Sequence, residues 1–132
     1  MKASSNNITE LKDNEVFVFG SNLIGAHGAG AAKMALNRFG AILSKGVGLQ
    51  GQSYAIPTKD RNIITLPISS IKPYVDEFIK YAKFRHDLDF LVTEIGCGLA
   101  GYEPKDIAPL FKEAQYVGNI YLPQSFINIL EA

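Results

Sequence analysis

The sequence predicts an α/β domain of three layers, with helices on both faces of a mostly parallel sheet. Three observations carry that expectation. The run Val16, Phe17, Val18, Phe19 is β-branched and aromatic without alternation, as in a strand covered on both faces. Strand-like runs then alternate with helix-period stretches, in the order strand, helix, two strands, helix, strand, helix, strand, short helix. Finally, two of the strand-like runs end in glycine loops, Gly20 to Gly30 and Gly96 to Gly101, and in parallel sheets ligands bind beyond the carboxyl ends of the strands.

The elements follow in order. Met1 to Asn14 is polar and lacks periodicity, so it reads as a loose leader before a single domain over 15–132. Gly20 closes the first strand, and Ala32, Ala35, Leu36 and Phe39 then fall at i, i+3, i+4 and i+7, the spacing of a helix that begins at or just after the glycines. Gly46 to Gly51 (GVGLQG) reads as a loop, because glycine at that density cannot hold a helix. Ser53 to Pro57 and Asn62 to Pro67 read as short strands joined by the polar turn Thr58 to Arg61, which leaves Lys59 at a strand end. From Ser69 the residues Ile71, Val75, Phe78, Ile79 and Ala82 share one helical face, with Ser69 or Ser70 as candidate cap. Asp89 to Ile95 is a strand running into GCGLAGYEP. A helix capped by Asp106 reaches Tyr116, a strand covers Asn119 to Pro123, and a final helical turn or two begins near Phe126.

Composition bounds the function. A chain of 132 residues, 47% of them apolar, can build one core but not two. Thirteen basic residues balance thirteen acidic ones, so neither a membrane surface nor strong general nucleic-acid affinity is encoded. Cys97 is the only cysteine, which excludes an internal disulfide and a cysteine-built metal cluster and fits a reducing, cytoplasmic setting. No metal or cofactor is expected, and no apolar run is long enough to span a membrane.

Chemistry belongs to the glycine loops. A strand, a glycine loop and a helix in succession aim free backbone N–H groups and a helix dipole at one point, which suits a phosphate. A Walker A loop does not fit, since no glycine directly precedes Lys33. Nor does a dinucleotide fingerprint on the first loop, for nothing acidic lies between Glu15 and Asp60. A GxGxxG pattern recurs at Gly96, Gly98 and Gly101. Asn22 reads equally as a turn residue or as a ligand-contacting amide. His27 reads as an acid, base or phosphate contact, or as a plain loop histidine. Cys97 reads foremost as a small buried thiol, Tyr102 as a base-stacking ring or a helix-packing one, and Lys59 as an ammonium that meets a phosphate or a sugar aldehyde.

Taken together, GSNLIGAHGAGAAKMALNRFG, IPTKD and IGCGLAGYEP resemble the signature segments of the macrodomain superfamily of ADP-ribose-binding proteins, across roughly Val16 to Phe111. The similarity is strongest to the branch that removes ADP-ribose from acidic side chains or DNA bases. The resemblance implies a macrodomain-like fold. It implies Gly20, Ser21 and Asn22 beside the distal ribose, Gly28, Ala29 and Gly30 closing over it, and Gly96, Cys97, Gly98, Leu99, Ala100, Gly101 and Tyr102 around the diphosphate. It makes Lys59 the residue that works on the anomeric carbon, with Asn22 and His27 as further catalytic candidates. The expected partner is ADP-ribose, or a protein or DNA carrying it, and the expected activity is hydrolysis of an ADP-ribosyl bond. The alternatives are a non-catalytic reader and a phosphatase of ADP-ribose phosphate with His27 as proton donor. Two departures stand out. Ala100 occupies the place where some hydrolytic members carry an aspartate, and no early strand ending in an adenine-reading aspartate is visible, which leaves Asp13 or Glu15 as substitutes.

Overall fold

The computed structural model describes residues 1–132 and contains one six-stranded sheet. Its strands are β1 (Lys2–Ser4), β2 (Glu15–Asn22), β3 (Gly48–Gln50), β4 (Ser53–Lys59), β5 (Asp89–Val92) and β6 (Ile120–Pro123). The spatial order is β1-β6-β5-β2-β4-β3, and every pairing is parallel except that of β3 with β4. Helix α1 (Gly30–Arg38) covers one face. On the other lie α2 (Ile68–Phe84), the turn α3 (Pro104–Ile107), a 3₁₀ segment (Ala108–Tyr116) and α4 (Gln124–Glu131).

The alternation of side chains along β2 divides the core. Val16 and Val18 join the larger cluster of 21 buried residues with α2, the 3₁₀ segment and α4. Phe17 and Phe19 join a smaller cluster of 8 with Ala32, Ala35 and Phe39. β2 is thus buried on both sides, as its unalternating sequence requires. No helix is long and apolar enough to cross a membrane.

Several sequence expectations need correction. The leader is not loose: Lys2–Ser4 pairs with β6, Ser4 Oγ donates to Val92 O at 2.7 Å, and Ile8 is buried against α1. Three residues are too few to carry a readable period, and the strand exists only because the β6 edge is open to pair with it. Gly48–Gln50 is likewise a short edge strand inside the expected loop. The run Asn62 to Pro67 is not a strand. Asp60 Oδ1 accepts the N–H groups of Asn62 and Ile64, Ile63 sits at φ 61°, and only an isolated bridge joins Lys59 to Thr65. Helix α2 starts after Pro67 without a serine cap. At the start of α3, Glu103 is the capping residue and Asp106 is its partner in a reciprocal capping box, after which the chain continues as 3₁₀ rather than α-helix.

Candidate functional site

Because β2, β4 and β5 run parallel, their carboxyl ends share one rim, and the loops leaving that rim enclose a cleft of about 510 Å³. Gly20, Ser21 and Asn22 form its floor, Gly28 to Ala32 one wall, Gly96, Gly98, Leu99 and Ala100 another, and Thr58 and Lys59 the far end. The structure brings both glycine loops and Lys59 together around this one cleft.

The walls present unpaired donors. The N–H groups of Gly28, Ala29, Gly30 and Ala31 donate to no acceptor in the chain, and α1 has neither a capping side chain nor an acidic residue in its first turn. On the facing wall the N–H groups of Gly98, Leu99 and Ala100 are equally free. The neighbouring donors of Cys97, Gly101 and Tyr102 are spent on Glu94 O, Gly98 O and Gly96 O. Successive unspent N–H groups in a glycine loop form an anion-binding nest. Neither backbone strain nor packing demands glycine at 28 or 98, since a Cβ at either would meet nothing within 4 Å.

Lys59 ends β4 and makes no ion pair, and its bonds along the sheet hold its backbone rather than its ammonium. The loop beyond it is fixed: Thr65 Oγ1 donates to Ala100 O at 2.9 Å, and Tyr102 OH donates to Leu66 O at 2.7 Å. Asn22 is a turn residue that also lines the cleft. Its Oδ1 accepts the N–H of Ala26 at 3.0 Å, closing the turn, while its amide N–H₂ has no partner and the residue lines the cleft.

Other candidates do not face the cleft. The His27 ring is 1% exposed and lies edge-on to Phe19 at 5.3 Å between centroids. Its Nε2 lies 3.0 Å from Lys45 O and 3.2 Å from Gln50 Oε1. Since that Oε1 also accepts the N–H of Ile42, both neighbours are acceptors and Nε2 carries the proton. His27 thus ties the 42–50 loop to the β2 turn, and its role as an acid or phosphate contact is corrected to that of an anchor. Tyr102 packs toward the core and holds Leu66, so it stacks on nothing in the cleft. Asp13 precedes β2 and Glu15 begins it, placing both at the opposite rim from the cleft.

Cys97 is half-buried, absent from the cleft lining, and its Sγ donates to Ile95 O at 3.5 Å. Burial, with Glu94 and Asp106 adding to it, pushes the thiol up to about 11. The thiolate is the reactive form, and a raised pKa withholds it until high pH. Iodoacetamide should therefore label Cys97 far more slowly than it labels glutathione, with the rate climbing as pH approaches 11; mass spectrometry of the alkylated protein checks this.

A second cavity of about 240 Å³ lies beside the first, sharing Gly30, Ala31 and Glu94 with it. Ile8, Phe17, Met34 and Val92 give it apolar walls, and Asn6 and Asn7 give it amides. Sequence reasoning misses this chamber, because much of its rim comes from the residues after β1 that read as leader. It misses Glu94 too: the run DFLVTEI reads as strand throughout, but β5 ends at Val92 and so delivers Glu94 to the rim.

No family model matches the chain, and no curated protein is similar to it in sequence. The structure of a protein of unknown function from Bacteroides thetaiotaomicron is similar in fold, with a TM-score of 0.60 at 14% identity, over 86% of this chain and 89% of that one. A likeness at that identity speaks to the three-layer α/β architecture alone.

Proposed function

We propose that this protein binds ADP-ribose, free or carried on a protein or DNA target, and hydrolyses the bond that joins the sugar to the target. One observation carries the reading: two backbone segments with unspent N–H donors face each other across a cleft that holds a single unpaired ammonium, Lys59. A diphosphate satisfies the donors of Gly98, Leu99 and Ala100 and of the α1 start. The distal ribose then lies over Asn22, whose free amide donates to its hydroxyls, with the anomeric carbon toward Lys59. The smaller apolar chamber suits an adenine, held by contact with Phe17 and by the amides of Asn6 and Asn7 in place of an aspartate.

Two routes to cleavage use these residues. Lys59 as a cation offsets charge on the departing target oxygen or nitrogen while water attacks the anomeric carbon. Alternatively, the neutral amine attacks the anomeric carbon and expels the target group, which takes up a proton; the ring C–O bond then opens to leave a Schiff base, and water adds to that carbon and displaces the amine.

A second reading, that of a reader that binds without cleaving, is favoured by the lack of a carboxylate lining the cleft beside Lys59: Asp60 follows it in the chain but is not part of the lining, and its Oδ1 accepts the N–H groups of Asn62 and Ile64. Ala100 carries none, and Glu94 leaves β5, two strand positions from β4 and hence about 10 Å away across the rim. The deciding experiment presents the protein with ADP-ribosylated DNA and with protein modified on acidic side chains, and follows release of ADP-ribose. Turnover on either supports the hydrolase; binding of ADP-ribose without turnover on both leaves the reader.

A further inference from the structure

Glu94 is the only carboxylate lining either cavity, and it stands where they meet. The chambers on either side differ in chemistry. The larger is lined by both sets of free N–H donors and by Lys59, while the smaller shares only Gly30 and Ala31 of those donors, mixes apolar side chains with amides and hydroxyls, and has no lysine or arginine in its lining. A ligand with an anionic centre and a flat base at one end is divided accordingly, and the piece that bridges base and diphosphate is the nucleoside ribose. The vicinal 2′- and 3′-hydroxyls of that ribose are donors, and a carboxylate is an acceptor-only group that takes both. An acidic residue beside a nucleoside ribose hydroxyl is also the device by which other folds tell an unmodified ribose from a 2′-phosphorylated one.

Resting on the proposed ADP-ribose reading, we infer that Glu94 is a specificity-determining residue. It accepts the nucleoside ribose diol and excludes ligands that carry a 2′-phosphate. Its carboxylate is oriented for that task from outside the cleft: Ser125 Oγ, in the first turn of α4, donates to Oε2 at 2.6 Å, which fixes the group and leaves Oε1 without a partner in the chain. A 2′-phosphate placed there adds a charge of about −1.5 to −2 directly against the glutamate. No lysine or arginine lines the smaller cavity to offset it. A 2′-deoxy ligand meets no repulsion but loses one of the two donors.

The test is titration calorimetry of wild type and Glu94→Gln with ADP-ribose and with 2′-phospho-ADP-ribose. The side chain is exposed, so the substitution leaves folding intact, and a thermal melt run alongside verifies this. Wild type should favour ADP-ribose by at least about tenfold, the effect of losing one charged hydrogen bond or of setting two like charges together. Glu94→Gln, which removes the charge and keeps the shape, should weaken ADP-ribose by up to about tenfold and bring the two ligands close to equal affinity. A general loss of site structure would weaken both ligands together and leave their ratio unmoved. If wild type binds both ligands equally, or the variant keeps the full preference, the assignment of Glu94 fails while ADP-ribose binding stands. If wild type binds neither ligand, the ADP-ribose reading fails, and the assignment with it.

Discussion

Replacing Lys59 with alanine should leave ADP-ribose affinity within a few fold of wild type and lower the release of ADP-ribose by orders of magnitude. The geometry makes the two effects separable. On the proposed reading, diphosphate binding rests on backbone donors of the 28–31 and 98–100 segments, which Lys59→Ala leaves in place. The Lys59 backbone carbonyl accepts the N–H of Leu23, a bond that alanine preserves. A loss confined to turnover marks an interaction made in the transition state alone. Were Lys59 only a phosphate contact, affinity would fall by about 1 to 3 kcal/mol and turnover would follow in step. Single-turnover rates measured with saturating ADP-ribosylated substrate, beside calorimetric affinities for the product, distinguish the two patterns.

The second large effect belongs to Gly98. Valine there should weaken ADP-ribose binding by roughly ten- to a hundredfold or abolish it, the range of an overpacking cost placed on the complex, with little change in melting temperature. A Cβ at 98 meets nothing within 4 Å, so the fold has room for a side chain there, and Gly98 lines the cleft. Gly25→Ala is the contrast. Gly25 sits at φ 68°, and a Cβ there would run into the backbone nitrogen of Lys45, so alanine pries the 42–50 loop from the β2 turn and lowers stability itself. Melting curves and binding isotherms on both variants separate a glycine the ligand requires from one the fold requires. Normal ADP-ribose binding by Gly98→Val would remove the second loop from the site.

How far the sequence discloses this arrangement depends on whether the decisive interactions are local. The unalternating Val16–Phe19 run and the long apolar face of α2 state their burial in residues a few positions apart, and both hold. So does the place of Lys59, which needs only that β4 run parallel to β2. Side-chain direction in loops is a different matter. His27 and Cys97 lie among cleft-lining glycines yet point elsewhere: His27 because Gln50 and Lys45, 23 and 18 residues away, accept from its ring, and Cys97 because its neighbours' turn geometry directs the thiol toward Ile95. The Asn62–Pro67 run has the composition of a strand, but the Asp60 side chain captures its first N–H groups. The residues after β1 are illegible for the opposite reason. Three residues cannot show a period, and the chamber they wall depends on pairing with β6, nearly the whole chain away.

The ADP-ribose reading stands most directly on what the cleft prefers to hold. Titration calorimetry of the wild-type protein with ADP-ribose, ADP, ATP and NAD asks this in one experiment. Both nests, the free amide of Asn22 and Lys59 are engaged together only by a ligand with a diphosphate and a free distal ribose, so ADP-ribose should bind most tightly of the four. A preference for ADP, ATP or NAD, or no binding of ADP-ribose at all, would contradict it.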